Sequence, residues 1–487
     1  MPTTYPSRAF IGGEQVEAAS GETFDSLAPG TGEVLTAVSA CGPEDVDRAV
    51  RAARGAFERG VWSDLAPADR KAVLLRYADL VEAHAAELAR LDSLDAGKAI
   101  ADAEDLDLPD VVTNIRWFAE AIDKVFGKIS PTGPEALALI SREPVGVVGA
   151  VLPWNFPAAM LGWKLGPALA AGNSVVVKPP ELASLSTIRM AELAAEAGIP
   201  DGVFNVVPGL GEVAGRALGL HPDVDVITFT GSVEVGRQML RYSADSNLKR
   251  VVLELGGKSP QVVFGDAGRD LDHVVDELAG AAFWNAGQNC TCGSRILVER
   301  SLHDPLVEAL SATAAKWTVG DPLDRATKVG PLIEPDAMER VLGYIEGARE
   351  GGATITAGGG RVLEETGGWF VEPTVIDGVS PDMPVARDEI FGPVVAVVMF
   401  DTEEEAIAIA NDSPYGLAAS VFTHDLDTAH RLSRSIRAGT ISVNCYAEGD
   451  VTTPFGGYKQ SGFGGRDNGL EAFDQYTETK TTWIALG

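Results

Sequence analysis

The sequence predicts an α/β protein built on doubly wound, mostly parallel sheets, and three observations lead there. Valine-rich apolar runs recur at Val145 to Leu152, Ser174 to Val177, Gly202 to Val207 and Val224 to Phe229. They lack the polar alternation of a half-exposed strand, so each reads as a strand buried on both faces. Helical stretches such as Leu185 to Ala197 and Gly211 to Leu218 lie between them. A second alternation follows Gly256, with strands near Gln261 to Phe264, Ser294 to Val298 and Val394 to Phe400. At 487 residues the chain exceeds one simple core and predicts two or three domains.

Earlier in the chain, Pro43 to Gly60 opens on Pro43-Glu44-Asp45 and carries Val46, Ala49, Ala53 and Phe57 at helical spacing. Ala66 to Ala96 is a longer amphipathic pattern, read as two successive helices. The formal charge is -31, from 70 acidic against 39 basic side chains. That balance repels nucleic-acid backbones and anionic membranes, so neither is expected as a partner. The four cysteines, Cys41, Cys290, Cys292 and Cys445, form no zinc-ribbon spacing, and no metal is expected. Residues Met1 to Ala18 show no signal peptide, and no run is apolar enough to span a bilayer, so a cytoplasmic location is expected.

Three segments point to chemistry. Pro153-Trp154-Asn155-Phe156-Pro157 directly follows a strand, where open α/β sheets bind ligands; a buried structural amide is the competing reading. Leu253-Glu254-Leu255-Gly256-Gly257-Lys258 ends another apolar run, and partial burial there would raise the Glu254 carboxyl into the range of a general base. Cys290 lies in the polar turn Gly287-Gln288-Asn289-Cys290-Thr291-Cys292, not in an apolar stripe, which favours reactivity over core filling. Together they supply nucleophile, base and oxyanion donor, the minimal set for an acyl-enzyme.

These segments, with Glu389-x-Phe391-Gly392-Pro393 and Pro454-Phe455-Gly456-Gly457-x-Lys459-x-Ser461-Gly462, resemble those of the aldehyde dehydrogenase superfamily, in the same order and over nearly the whole chain. The resemblance implies two doubly wound α/β domains, one Rossmann-like for the cofactor and one catalytic, plus a small β bridging element. The boundaries expected are 1–124 with 145–256, then 257–444, then 125–144 with 445–487. It implies oxidation of an aldehyde to a carboxylic acid, with Cys290 attacking the carbonyl. Asn155 and the Cys290 N–H would hold the oxyanion, and Glu254 would activate the water that hydrolyses the thioester.

Two glycine patterns compete for the cofactor. Gly209-x-Gly211-x-x-Ala214 matches the dinucleotide fingerprint by spacing, a weak signal among 54 glycines. The resemblance instead points to Phe229-Thr230-Gly231-Ser232-x-x-x-Gly236, where free helix N–H groups meet phosphate. It implies ribose contacts from Lys178 and Glu181, and further cofactor contacts from Leu152, Pro153, Trp154, Gly211, Val235, Leu255, Glu389 and Phe391. A carboxylate at Glu181 favours NAD, with NADP open.

For the substrate, the resemblance implies a tunnel of Phe156, Met160, Trp163, Trp284, Asn289, Thr291 and Phe455. Ala447-Glu448-Gly449-Asp450 resembles the acidic loop of the γ-glutamyl-γ-aminobutyraldehyde dehydrogenase branch, suited to an ammonium-bearing aldehyde. Two chance acidic residues on an acidic surface, and a broad-specificity enzyme, remain open. The branch also matches an extra turn at Gly268-Arg269; one added glycine in Phe463-Gly464-Gly465-Arg466 departs from the usual pattern. A cysteine hydrolase would need a histidine partner, and the six histidines lie outside all five motifs. A CoA-acylating enzyme or a non-catalytic homologue would typically lack Glu254 or Cys290. The bridging strands imply a homodimer or homotetramer.

Overall fold

The computed structural model describes residues 5–487. Two sheets dominate it. In the first, eight strands run in the order Glu14–Val16, Ala9–Ile11, Phe204–Val206, Ser174–Lys178, Val147–Val151, Val226–Gly231, Arg250–Leu255 and Gly462–Phe463. The five central strands are parallel, and every residue of Val147–Val151 and Ser174–Lys178 is buried, as expected of strands covered on both faces. The short strands at either edge pair antiparallel.

The chain builds this sheet outward from Val147–Val151 to Ser174–Lys178 and Phe204–Val206, then returns to the other side of Val147–Val151 with Val226–Gly231. Strand order therefore reverses beside Val147–Val151, and the loops leaving the two neighbouring strands diverge. Such a switch point opens a crevice beyond the strand ends. The segments starting at Leu152 and Ser232 leave the sheet there.

The second sheet has seven strands, in the order Thr354–Ala357, Thr374–Asp377, Val394–Phe400, Arg295–Glu299, Pro260–Val263, Ala418–Phe422 and Thr440–Val443. All pairs are parallel except the Thr354–Ala357 edge. A third, antiparallel sheet joins Thr477–Ala485, Ala136–Pro144 and Lys128–Ser130.

Helices form where the sequence pattern places them. Pro43–Glu58 starts behind Gly42, whose N–H donates to the Asp45 carboxylate at 3.0 Å, and buries Val46, Ala49 and Ala53. The Ala66 to Ala96 pattern divides into Pro67–Ala83 and Ala85–Asp95. The helix expected from Gly211 starts with one wide turn, Gly211–Gly215, before Arg216–Leu220. Among the described residues, no helix is long and apolar enough to cross a membrane.

Candidate active site

One cavity of about 1400 Å³ runs between the two sheets, past the switch point. The catalytic, cofactor and substrate residues named above line it except Thr291; of the two glycine patterns, Gly209, Ala214 and Gly236 do not. Thr291 is fully buried and acts from behind: its hydroxyl donates to Glu448 and bonds the Tyr446 hydroxyl at 2.8 Å. The resemblance implied a tunnel residue at Thr291; its link to the cavity runs through Glu448 and Tyr446.

Cys290 stands at the end of an unusual turn. Asn285, Ala286 and Gly287 all have left-handed backbones, with φ of 53°, 55° and 68°. For Ala286 this costs roughly 1–2 kcal/mol. At Gly287 a Cβ would lie 2.1 Å from the Gly392 carbonyl oxygen, so only glycine fits. Backbone strain of this kind is held by surrounding structure and clusters at functional sites. Burial pushes the Cys290 thiol well above its usual range, and the charges of Glu448, Glu389 and Glu254 add to the rise. Its Sγ lies 3.7 Å from Asn289 Oδ1, a weak contact at most.

Asn155 approaches from the loop after Val147–Val151 and is 6% exposed. Its Nδ2 donates to the Gln288 carbonyl at 2.8 Å, which uses one of the two amide hydrogens. The second is free for a ligand oxygen. Glu254 lies near the end of Arg250–Leu255, and both its carboxylate oxygens are buried without a partner. Burial pushes its carboxyl well above the usual range; Asp467 adds to this, and Lys164 and Arg466 oppose it. Lys164 and Asp467 form an ion pair, with both side chains about 1% exposed. At Gly456 a Cβ would approach Glu254 Oε1 to 2.6 Å, so the glycine makes room for the carboxylate.

Toward one end of the cavity, Lys178 is paired with Glu181, which also accepts the Gly211 N–H at 3.3 Å. Burial alone would raise Glu181, but Lys178 holds its carboxyl below the usual value. Ser232 caps the helix Val233–Ala244 by accepting the Val235 N–H at 3.3 Å. Gly209, the other half of the fingerprint spacing, packs against the Cys41 carbonyl and does not line the cavity. Glu389 accepts the Gly257 N–H at 3.0 Å, and burial pushes its carboxyl up to about 7. Trp154 meets Phe391 edge-to-face at 5.3 Å.

Toward the other end the walls are aromatic. Phe156 packs on Trp284 at 5.2 Å and Trp163 on Phe455 at 5.1 Å between ring centroids. Glu448 is half-buried, bonded by Thr291 and by Asn289 Nδ2 at 3.2 Å, whereas Asp450 is exposed and tied to Thr452. Sequence reading missed Asp110, whose carboxylate accepts the Trp163 indole N–H at 2.7 Å and is pushed up to about 6, chiefly by burial. It also missed Tyr446, Lys164 and Asp467. Asp110 sits one turn beyond Leu106 and Asp107, which share its cavity face, so only the fold could single it out. No histidine lines the cavity among the described residues.

The aldehyde dehydrogenase family model matches residues 16–482 of the chain. The aminoacetaldehyde dehydrogenase of Pseudomonas aeruginosa is 54% identical over 479 residues, covering 98% of this chain and 96% of that protein. A mutant indole-3-acetaldehyde dehydrogenase of P. syringae, solved in complex with NAD+ and IAA, superposes with a TM-score of 0.98 at 52% identity, over 100% of this chain and 98% of that one. The γ-glutamyl-γ-aminobutyraldehyde dehydrogenase structure from Burkholderia cenocepacia gives a TM-score of 0.97 at 54% identity, over 99% and 97% of the two chains.

Proposed function

The chain belongs to the aldehyde dehydrogenase family, and from that premise we propose that its substrate is an aldehyde bearing an ammonium group, oxidised through a thioester on Cys290. That it is an NAD(P)-dependent aldehyde dehydrogenase follows from the family and its relatives.

The residues fit a dinucleotide. A cavity of about 1400 Å³ exceeds what a small aldehyde needs, since small-ligand pockets span roughly 300–1,000 Å³. At one end Glu181 and Lys178 are suited to ribose hydroxyls and the free N–H groups behind Ser232 to phosphate. Glu389 would take the second ribose, with Phe391 beside the base. Glu181 would repel a 2′-phosphate, so NAD is preferred over NADP. When bound, NAD+ supplies the acceptor for the hydride leaving the substrate carbon.

The chain's own residues do the rest. The Cys290 thiol releases its proton to solvent and reacts as the thiolate; Sγ bonds to the aldehyde carbon, and the C=O π pair moves to the oxygen as negative charge. The free Asn155 N–H and the Cys290 backbone N–H neutralise that charge. After oxidation the acyl group is held as a thioester. Glu254 takes a proton from water as the hydroxide adds to the acyl carbon. The C–S bond then breaks, releasing the carboxylic acid and the Cys290 thiolate. Replacing Asn155 with alanine is expected to lower kcat by about 10²–10³-fold, as loss of one oxyanion donor does elsewhere, with NAD affinity retained. Steady-state kinetics with a fluorescence titration of NAD check this; a change below fivefold in kcat would remove Asn155 from the oxyanion site.

One observation favours an ammonium-bearing substrate. Asp107, Asp110, Glu448 and Asp450 line the aromatic end of the cavity. The only cations lining it, among the described residues, are Lys178, paired with Glu181, and Arg340, whose charge acts on Glu389. Both therefore belong to the opposite end. Asp107 is balanced by Lys98 and Asp450 is exposed, but Asp110 and Glu448 are partly buried with no counter-ion among the described residues, which favours a cationic guest. The test is a panel of propanal, benzaldehyde, betaine aldehyde, 4-aminobutanal and its γ-glutamyl derivative, each with NAD and with NADP. The amino-aldehydes should lead in kcat/KM, and Glu448→Gln should cost them about tenfold while sparing propanal. A lead for uncharged aldehydes would contradict the proposal.

The same reading extends to assembly. Among the described residues the strand Lys128–Ser130 has an unpaired edge; its Ile129 is 72% exposed, and Trp483 on the opposite edge strand, Thr477–Ala485, is 65% exposed. Such an edge suits pairing with a second copy, so a homodimer or homotetramer is proposed. The three-part division at 1–124 with 145–256, 257–444, and 125–144 with 445–487 is retained as a proposal.

A further inference from the structure

We infer that Lys98 is a positioning residue for the oxidation, an internal clamp that fixes the two turns carrying the oxyanion donors. The inference rests on the reading above of Asn155 and the Cys290 N–H as those donors.

Lys98 lies outside every segment the sequence singled out, and its side chain is 1% exposed. Its ammonium makes two hydrogen bonds and one ion pair. Nζ donates to the Asn155 carbonyl at 3.1 Å and to Asn285 Oδ1 at 2.9 Å, and it pairs with Asp107 Oδ2 at 3.0 Å. Asn285 completes the bridge, since its Nδ2 donates to the Asn155 carbonyl at 3.0 Å and to the Gln288 carbonyl at 3.1 Å. The Asn155 side chain then reaches the same Gln288 carbonyl. Lys98 thus touches both the turn that carries Asn155 and the turn that leads to Cys290. It also sits 3.8 Å from the centroid of the Phe156 ring, on the aromatic wall.

A directional clamp is needed here for a physical reason. The Asn285-Ala286-Gly287 run is left-handed throughout, and each non-glycine residue in it stores strain of roughly 1–3 kcal/mol. Apolar packing is non-directional and cannot hold such a backbone to the tolerance that oxyanion donors require, about 0.5 Å. An ammonium with two fixed acceptors and an ion-pair partner can. The Asp107 carboxylate offsets the cost of burying the charge. No atom of Lys98 lines the cavity, so its influence passes through Asn155 and Asn285.

The test compares four enzymes: the parent, Asn155→Ala, the pair Lys98→Met with Asp107→Leu, and the combination of all three changes. Changing Lys98 and Asp107 together removes both members of the buried ion pair, which protects folding better than losing one. The pair is expected to lower kcat by about 30- to 100-fold, the usual result of misplacing a catalytic group by an ångström. KM for NAD should stay within about threefold, because the cofactor end is untouched. With an aldehyde deuterated at C1, the isotope effect on NADH formation should rise toward its intrinsic value as the oxidation step becomes limiting. In the Asn155→Ala background the pair should cost under about threefold more, since residues acting through one another are not additive. Merely structural damage would neither raise the isotope effect nor vanish in that background. A pair within threefold of the parent, or one fully additive with Asn155→Ala, overturns the inference. If the pair does not fold, Asn285→Gly keeps the left-handed backbone and removes the same bridge; additivity of that change with Asn155→Ala overturns it equally. A silent Asn155→Ala would instead strike the oxyanion reading underneath, which is a separate result.

Discussion

Replacing Cys290 with serine is expected to lower aldehyde oxidation on the order of 10⁴-fold or more while leaving NAD binding intact. A serine hydroxyl ionises far less readily than a thiol, so it is the weaker nucleophile. As an alkoxide it would also be a poorer leaving group than a thiolate in the final step. Lys178, Glu181 and Ser232 lie away from residue 290, so cofactor affinity should not change. The pH behaviour of the thiol gives a second check. Burial and three nearby carboxylates raise its pKa, so the neutral thiol dominates in the ligand-free protein at neutral pH. Only the thiolate reacts with iodoacetamide, and its fraction grows as pH rises toward the raised pKa. Alkylation of Cys290 should therefore be slow at pH 7 and accelerate steadily into the alkaline range. Fast alkylation that does not change with pH would contradict the environment described for the thiol.

Replacing Glu254 with glutamine should spare the first half of the reaction and stall the second. The two oxygens of Glu254 are buried without a hydrogen-bond partner, so the carboxylate is held ready for a water that arrives with the acyl group. Removing a general base slows its step by about 10²–10⁴-fold. One NADH per active site should appear as a rapid burst, followed by a nearly flat steady state. The sign with pH follows from the raised carboxyl. As pH falls through that raised value the base form is lost, so parent hydrolysis declines on the acid side sooner than an ordinary glutamate would predict. The glutamine variant should lose that dependence. A variant with neither a burst nor a flattened profile would take the base role away from Glu254.

Much of the site was legible because its parts are local. Asn155, Glu254 and Cys290 each follow a recognisable strand or turn signal, and each sits beside glycine or proline that keeps the backbone open. The parallel strands were legible for the same reason, since burial on both faces leaves unbroken valine runs. What could not be read depends on distance along the chain. Lys164 and Asp467 are 303 residues apart and meet only in the folded interior. Lys98 and Asn285 are 187 apart, and a lone lysine after glycine reads as surface. Asp110 lies in the helix Leu108–Ala121 among other acidic residues, and nothing in the pattern marks which of them faces the cavity. The two- and three-residue edge strands, Gly462–Phe463 and Glu14–Val16, are too short to carry a period.

The covalent intermediate gives the most direct test of the mechanism. Glu254→Gln protein would be mixed with NAD and an aldehyde, quenched in acid within the burst, digested and weighed by mass spectrometry. The account predicts one adduct per chain on the peptide containing Cys290, heavier by the mass of the aldehyde less two hydrogens. A full burst of NADH with no adduct, or an adduct on any residue other than Cys290, would contradict it.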